Sequence, residues 1–139
     1  MPAKNIYHDA VRRALIADGW TITHDPLTLT FGGKYLFVDL GAEREAIAAE
    51  KQGRKIAVEI QSFVGASPIR DLQETIGQYE VYRTVLAETE PARSLYVAVP
   101  DHVYEGLLSE RFGQLIVQRL ALHLVVFNGI AERIIQWID

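Results

Sequence analysis

Residues Lys55–Phe63, KIAVEIQSF, read as a β-strand with two unlike faces. Successive side chains of a strand point to opposite sides. Ile56, Val58 and Ile60 therefore share one face. Ala57, Glu59 and Gln61 share the other, so Glu59 and Gln61 project side by side. An apolar face calls for a core beneath it. A carboxylate beside a carboxamide on the opposite face is the first candidate for chemistry.

Upstream, the chain reads as a helix followed by a strand meander. Asn5 can cap a helix over Ile6 to Asp18, because Ile6, Ala10, Ala14 and Val11, Leu15 fall at helical spacing and Gly19 stops it. Trp20 to Thr23 reads as a strand, with Asp25-Pro26 as a turn. Leu27 to Phe31 and Tyr35 to Leu40 flank Gly32-Gly33, a strong hairpin signal. Ala46 to Glu50 and Lys55 to Ile60 flank Gln52-Gly53, which predicts a second hairpin.

Downstream, Ser67-Pro68 opens a long helix, with serine as cap and proline in the first turn. Ile69, Leu72, Ile76, Tyr79 and Leu86 form its apolar stripe. Ser94 to Val99 (SLYVAV) is nearly continuous in apolar residues, as a strand covered on both faces would be. A helical stretch broken around Gly113 resumes at Gln114 to Leu120. Leu122 to Phe127 is a strand, Asn128-Gly129 a turn, and Arg133 to Ile138 a short closing strand. A meander, a helical crossover and further strands make an α/β arrangement. The expectation is one domain over residues 1–139, with a central mixed sheet flanked by helices.

Composition narrows the function. The 139 residues are 49% apolar and 23% charged, ordinary for a globular domain. There is no cysteine, which excludes disulfides, thiolate zinc sites and a cysteine nucleophile. The formal net charge of −4 argues against a protein whose main role is coating nucleic acid. No apolar run is long enough for a bilayer, and the start MPAKNIYHD lacks a signal-peptide core, so a cytoplasmic location without membrane contact is expected.

Three segments carry candidate chemistry: Asp39 in YLFVDLG, Glu59 and Gln61 on the strand, and Gln78 to Tyr82 (QYEVY) on the long helix. An acid from a neighbouring strand can meet Glu59. Two carboxylates so placed can bind Mg²⁺ or Mn²⁺, which take oxygen ligands. A lysine beside such a pair would stabilise negative charge developing on a phosphate. Geometry leaves the second acid open. If Gln52-Gly53 is the hairpin tip, Glu59 faces position 46, and Glu43 or Glu45 comes closer than Asp39 unless Gly41 bends the strand. Glu50 lies nearer the tip and reads as solvated. Gln78 and Tyr82, four apart, share a helix face; packing of the tyrosine against the sheet is an equal reading.

The stretches MPAKNIYHDAVRRALIADGWTITHDPLTL, VDLGAE, AAEKQGRKIAVEIQSF, GQYEVYR and LYVAVPDHVYE resemble the XisH family, the fdxN-element excision controlling factors, over nearly the whole chain. That family is grouped with PD-(D/E)XK (restriction endonuclease-like) proteins. The resemblance implies a PD-(D/E)XK core and an accessory role in DNA element excision or rearrangement. It also implies a XisI-like partner, and DNA and a homo-oligomer are compatible with it. It points to Asp39 as the first acid, with Glu43 in reserve, and it sets Gln78 and Tyr82 beside the site as the QxxxY feature of some related nucleases. The family's VEIKSF becomes VEIQSF here, with Gln61 in the lysine position. Glutamine donates a hydrogen bond but carries no charge. The loss is worth about 2–4 kcal/mol of barrier, by analogy with removing one oxyanion donor. A non-catalytic factor is therefore the first reading, and a metal-dependent DNA endonuclease is the alternative.

The remaining features have plainer readings. His8, His24, His102 and His123 lack ligand spacing. Lys51, Arg54 and Lys55 suggest a solvated turn or a phosphate contact. Gly32-Gly33-Lys34 lacks P-loop spacing. Trp20 and Trp137 read as packing residues.

Overall fold

The computed structural model describes residues 5–45 and 53–139. The first helix, α1, spans His8–Ala17. It starts two residues later than the sequence suggests, because Asn5 closes a turn ahead of it: its Oδ1 accepts the Tyr7 N–H at 2.9 Å. Four short strands follow: β1 (Thr21–His24), β2 (Leu27–Phe31), β3 (Lys34–Val38) and β4 (Leu40–Arg44). The strand read first in the sequence is β5, Arg54–Ile60. Helix α2 then runs over Pro68–Thr89, with Ser67 Oγ accepting the Arg70 N–H at 3.3 Å as its cap.

Beyond α2 lie β6 (Arg93–Pro100), α3 (Asp101–Glu105), a 3-10 turn at Leu107–Ser109, α4 (Arg111–Arg119), β7 (Leu124–Asn128) and β8 (Arg133–Ile138). Six strands form one mixed sheet in the order β1-β4-β5-β6-β7-β8. The β5–β6 and β6–β7 pairs are parallel and the others antiparallel. Parallel neighbours require a crossover, and α2 supplies it between β5 and β6. Every residue of β6 from Leu95 to Pro100 is buried, as its apolar run requires. No helix among the described residues is long and apolar enough to cross a membrane.

The alternation in β5 divides the core. Ile56, Val58 and Ile60 pack with Val11, Leu15 and Trp20 on the α1 side. Ala57 packs with Leu72, Tyr79 and Leu86 on the α2 side. At about 25 cal/mol per Å² of apolar surface removed from water, these two layers dominate the folding free energy.

Four further sequence expectations change. Tyr35–Leu40 is not one strand. Gly32 and Gly33, at φ +57° and +78°, close a β2–β3 hairpin that forms its own two-stranded sheet. Val38 enters the α2-side core and Leu40 the α1-side core. Residues two apart in an unbroken strand would share a face. The backbone therefore turns over at Asp39, where one strand ends and the next begins.

β5 does not take the register that a hairpin turning at Gln52-Gly53 would give: Leu40 faces Val58 and Arg44 faces Arg54. Gln52 itself lies outside the described residues. Burial of Leu40 and Ala42 beside Val58 and Ile56 fixes that register. The strand expected at Ala46–Glu50 lies outside the described residues.

The break expected at Gly113 falls earlier, between α3 and α4. Gly113 sits inside α4, and a Cβ there would lie 2.1 Å from Leu107 O. The glycine serves close packing of α4 on the 3-10 turn. The apolar stripe of α2 begins at Leu72, one turn later than expected. Ile69 is half exposed, while Thr75 is buried with its hydroxyl donating to Asp71 O at 2.8 Å.

Candidate functional site

The β4–β5 register carries Asp39 to Glu59. Asp39 sits one step beyond the Leu40–Val58 pair, across from Glu59. The Asp39 amide donates to Glu59 Oε1 at 3.1 Å, and the Ile60 amide donates to Asp39 Oδ2 at 2.8 Å. Each carboxyl thus holds a backbone amide of the other strand, which fixes both side chains without further support. The pairing itself, and no bend at Gly41, makes this contact.

Burial lifts the Glu59 pKa to about 9, reinforced by the adjacent Asp39 charge and by the hydrogen bond between the two side chains. Burial and the neighbouring Asp39 thus favour the protonated form of Glu59 near pH 7. Tyr82 reaches Glu59 from α2 with its hydroxyl. Burial, followed by the charges of Glu59 and Asp39, raises the phenol to about 12, so it remains a donor.

Gln61 and Gln78 meet directly. Gln61 Nε2 donates to Gln78 Oε1 at 2.6 Å, and the Gln61 amide donates to Ala98 O at 2.9 Å. One helix face thus delivers Gln78 to Gln61 and Tyr82 to Glu59. A cleft of about 260 Å³ opens over this group and is also lined by Phe37, Pro26 and Asn5.

Glu43 stands apart. It pairs with Lys55, four residues along the ladder and about 13 Å from the Glu59 position. Its Oε1 lies 3.9 Å from Lys55 Nζ and 3.8 Å from Arg93 Nη2. Glu45 is exposed beyond the end of β4, and Glu50 lies outside the described residues.

The basic cluster read near the hairpin splits. Arg54 turns to the α1 side, 5.6 Å over the Trp20 ring, and donates to Tyr96 Oη at 3.0 Å. Lys55 turns to the other side, towards Glu43. Lys51 lies outside the described residues. His8 is buried and bonded to Asp25 at 2.6 Å. Among the described residues no group of three or more histidine, aspartate or glutamate side chains could hold a metal ion.

Two cleft residues escaped the sequence reading. Asn5 read as a helix cap, yet its Nδ2 donates to Ile60 O at 3.2 Å and ties the N-terminal segment to β5. Phe37 read as an ordinary strand residue. Its place at the cleft depends on the turn-over at Asp39, for which no local signal exists.

The arrangement can hold a proton, or a small hard cation, between two carboxyls beside a hydroxyl and two carboxamides. Among the described residues no lysine or arginine lines the cleft.

The XisH protein family model matches residues 1–135. The chain is similar to a crystal structure of an XisH family protein from Nostoc punctiforme PCC 73102. Identity is 36% over 97% of this chain and 100% of that one, with a TM-score of 0.88. It is likewise similar to the crystal structure of an fdxN element excision controlling factor protein from Anabaena variabilis, at 37% identity, 98% and 100% coverage, and a TM-score of 0.86. No curated protein matches it. With the match spanning almost the whole sequence and the same fold at more than a third identity, the chain belongs to the XisH family.

Proposed function

We propose that this protein is a non-catalytic controlling factor for excision or rearrangement of a DNA element, built on a PD-(D/E)XK nuclease-like core and acting with a XisI-like partner. The observation that carries the reading is the Gln61–Gln78 hydrogen bond. The position beside the carboxyl pair that would hold a cation in an active nuclease holds a neutral side chain, already engaged. The name of the similar Anabaena variabilis protein, an fdxN element excision controlling factor, supports the role.

The second reading is a metal-dependent DNA endonuclease, favoured by the Asp39–Glu59 pair. Their oxygens are the hard donors that Mg²⁺ and Mn²⁺ take. The bound ion would supply charge neutralisation at a phosphate and an acidified water. The protein's own groups would orient the strand: Tyr82 and Gln78 as donors and Asn5 at the rim.

Cleavage of supercoiled DNA with Mn²⁺ and with Mg²⁺ tests both. The natural protein is expected to leave the DNA intact. Gln61→Lys is expected to gain nicking, and Gln61→Lys with Glu59→Ala to lose it. Cleavage by the natural protein overturns the non-catalytic reading. Failure of Gln61→Lys to gain activity removes the nuclease-like pocket from the account.

A further inference from the structure

The β2–β3 hairpin is an arm with one buried face and one free face. Leu27, Leu29 and Val38 on its inner face are at most 3% exposed, packed in the α2-side core. The register sets Phe37 opposite Thr28 and Tyr35 opposite Thr30 on the outer face. Tyr35 is 69% exposed and Phe37 43%. Among the described residues both rings keep a large exposed surface, and Phe37 forms part of the wall of the Asp39–Glu59 cleft.

Two features indicate what would cover them. Residues 26–38 contain no acid and one lysine, Lys34 at the tip, in a chain of net charge −4. A polyanion is therefore repelled less here than by the chain as a whole. The outer face also lacks aliphatic side chains: it offers two aromatic rings, each beside a threonine hydroxyl. Rings two residues apart on a strand stand about 7 Å apart, roughly two base thicknesses. Flat stacking surfaces at that spacing, each with a threonine on the neighbouring strand, suit unpaired nucleobases. Bases stacked within a duplex would be out of reach of these rings.

We propose that the outer face of this arm binds a single-stranded or locally unpaired nucleic-acid segment, whose bases stack on Tyr35 and Phe37. The proposal rests on the DNA-handling reading above and names the form of nucleic acid recognised.

The test is fluorescence anisotropy of a labelled oligothymidine with the full chain, beside a labelled duplex. Tyr35→Ala and Phe37→Ala are each expected to weaken oligothymidine binding roughly 5- to 100-fold. Phe37→Trp is expected to retain binding. Phe31→Ala, which removes an exposed ring from the inner face, is expected to change it less than twofold. Circular dichroism of each variant checks that the fold is kept. Unchanged binding by Tyr35→Ala and Phe37→Ala overturns the proposal. Duplex binding without oligothymidine binding overturns it while leaving the DNA reading standing. Binding of neither overturns both. Variants that keep oligothymidine binding but lose a co-purifying protein make the arm a protein-docking surface and overturn it as well.

Discussion

Asp39 and Glu59 hold each other's strands across the β4–β5 ladder: the Asp39 amide donates to Glu59 Oε1 at 3.1 Å, and the Ile60 amide donates to Asp39 Oδ2 at 2.8 Å. The pair joins two strands and forms the floor of the cleft. It makes stability, pH and cation binding parts of one measurement.

Burial pushes the Glu59 carboxyl up to about 9, against 4.5 for an ordinary glutamate. Between those values the folded state keeps a proton that the unfolded state releases. Stability is therefore full below about pH 4.5, falls as pH rises, and levels off above about pH 9. Glu59→Gln keeps the donor to Asp39 without the proton, so its melting temperature is expected to exceed that of the natural protein at pH 8 by roughly 3–6 °C. Thermal melts from pH 5 to pH 9 check this. An equal pH slope in both proteins would place the titration elsewhere.

On the endonuclease reading, a divalent cation would compete with that proton. Mn²⁺ at about a hundred times its dissociation constant is expected to stabilise the fold by roughly 2.7 kcal/mol. The effect should be larger at pH 8 than at pH 6, because the site must lose its proton first. Asp39→Asn should abolish it. Titration calorimetry at the two pH values reads both outcomes, and Mn²⁺ binding that survives Asp39→Asn belongs to a different site.

Gly113 and Gly77 should respond in opposite directions. An added Cβ at Gly113 meets Leu107 O at 2.1 Å and Leu108 Cα at 2.7 Å, both backbone atoms that cannot swing away. Gly113→Ala is expected to cost about 3 kcal/mol. Gly77 lies inside α2 with nothing within 4 Å of an added Cβ. Gly77→Ala is expected to stabilise by about 0.5–1 kcal/mol, since glycine within a helix loses more backbone entropy than alanine. Urea unfolding of the two variants makes the comparison.

Arg93 and Glu43 separate a structural ion pair from a near neighbour. The Arg93 side chain is 3% exposed, bonded to Glu90 at 2.6 Å and to Ile56 O at 2.9 Å. Arg93→Ala strands a buried carbonyl and is expected to cost about 2–4 kcal/mol. Glu43 lies 3.8 Å from Arg93 and is partly exposed, so Glu43→Gln is expected to cost under about 1 kcal/mol. A larger loss for Glu43→Gln would make it part of the core rather than its rim.

Local chemistry alone determined much of this protein. Gly32-Gly33 has the conformational freedom a tight hairpin needs, and both residues adopt positive φ. Ser67-Pro68 starts α2 as a cap and first-turn pair do anywhere. The alternation of KIAVEIQ placed Ile56, Val58 and Ile60 in one core and left Glu59 facing the other way. Each signal depends on neighbours a few residues apart, so each is visible in the string of letters.

The tertiary structure decided what depends on distant partners. The choice between Asp39 and Glu43 as neighbour of Glu59 turns on the β4–β5 register. That register is set by Leu40 and Ala42 burying against Val58 and Ile56, over a connection whose turn has no strong local code. The turn-over at Asp39 has the same origin: Val38 and Leu40 satisfy two different cores, and neither core exists until the sheet has formed. Asn5 and Phe37 reach the cleft only through those two events. A strand's faces are periodic and local, so sequence specifies them; its partner and register are set by burial across the whole sheet, which only the folded chain completes.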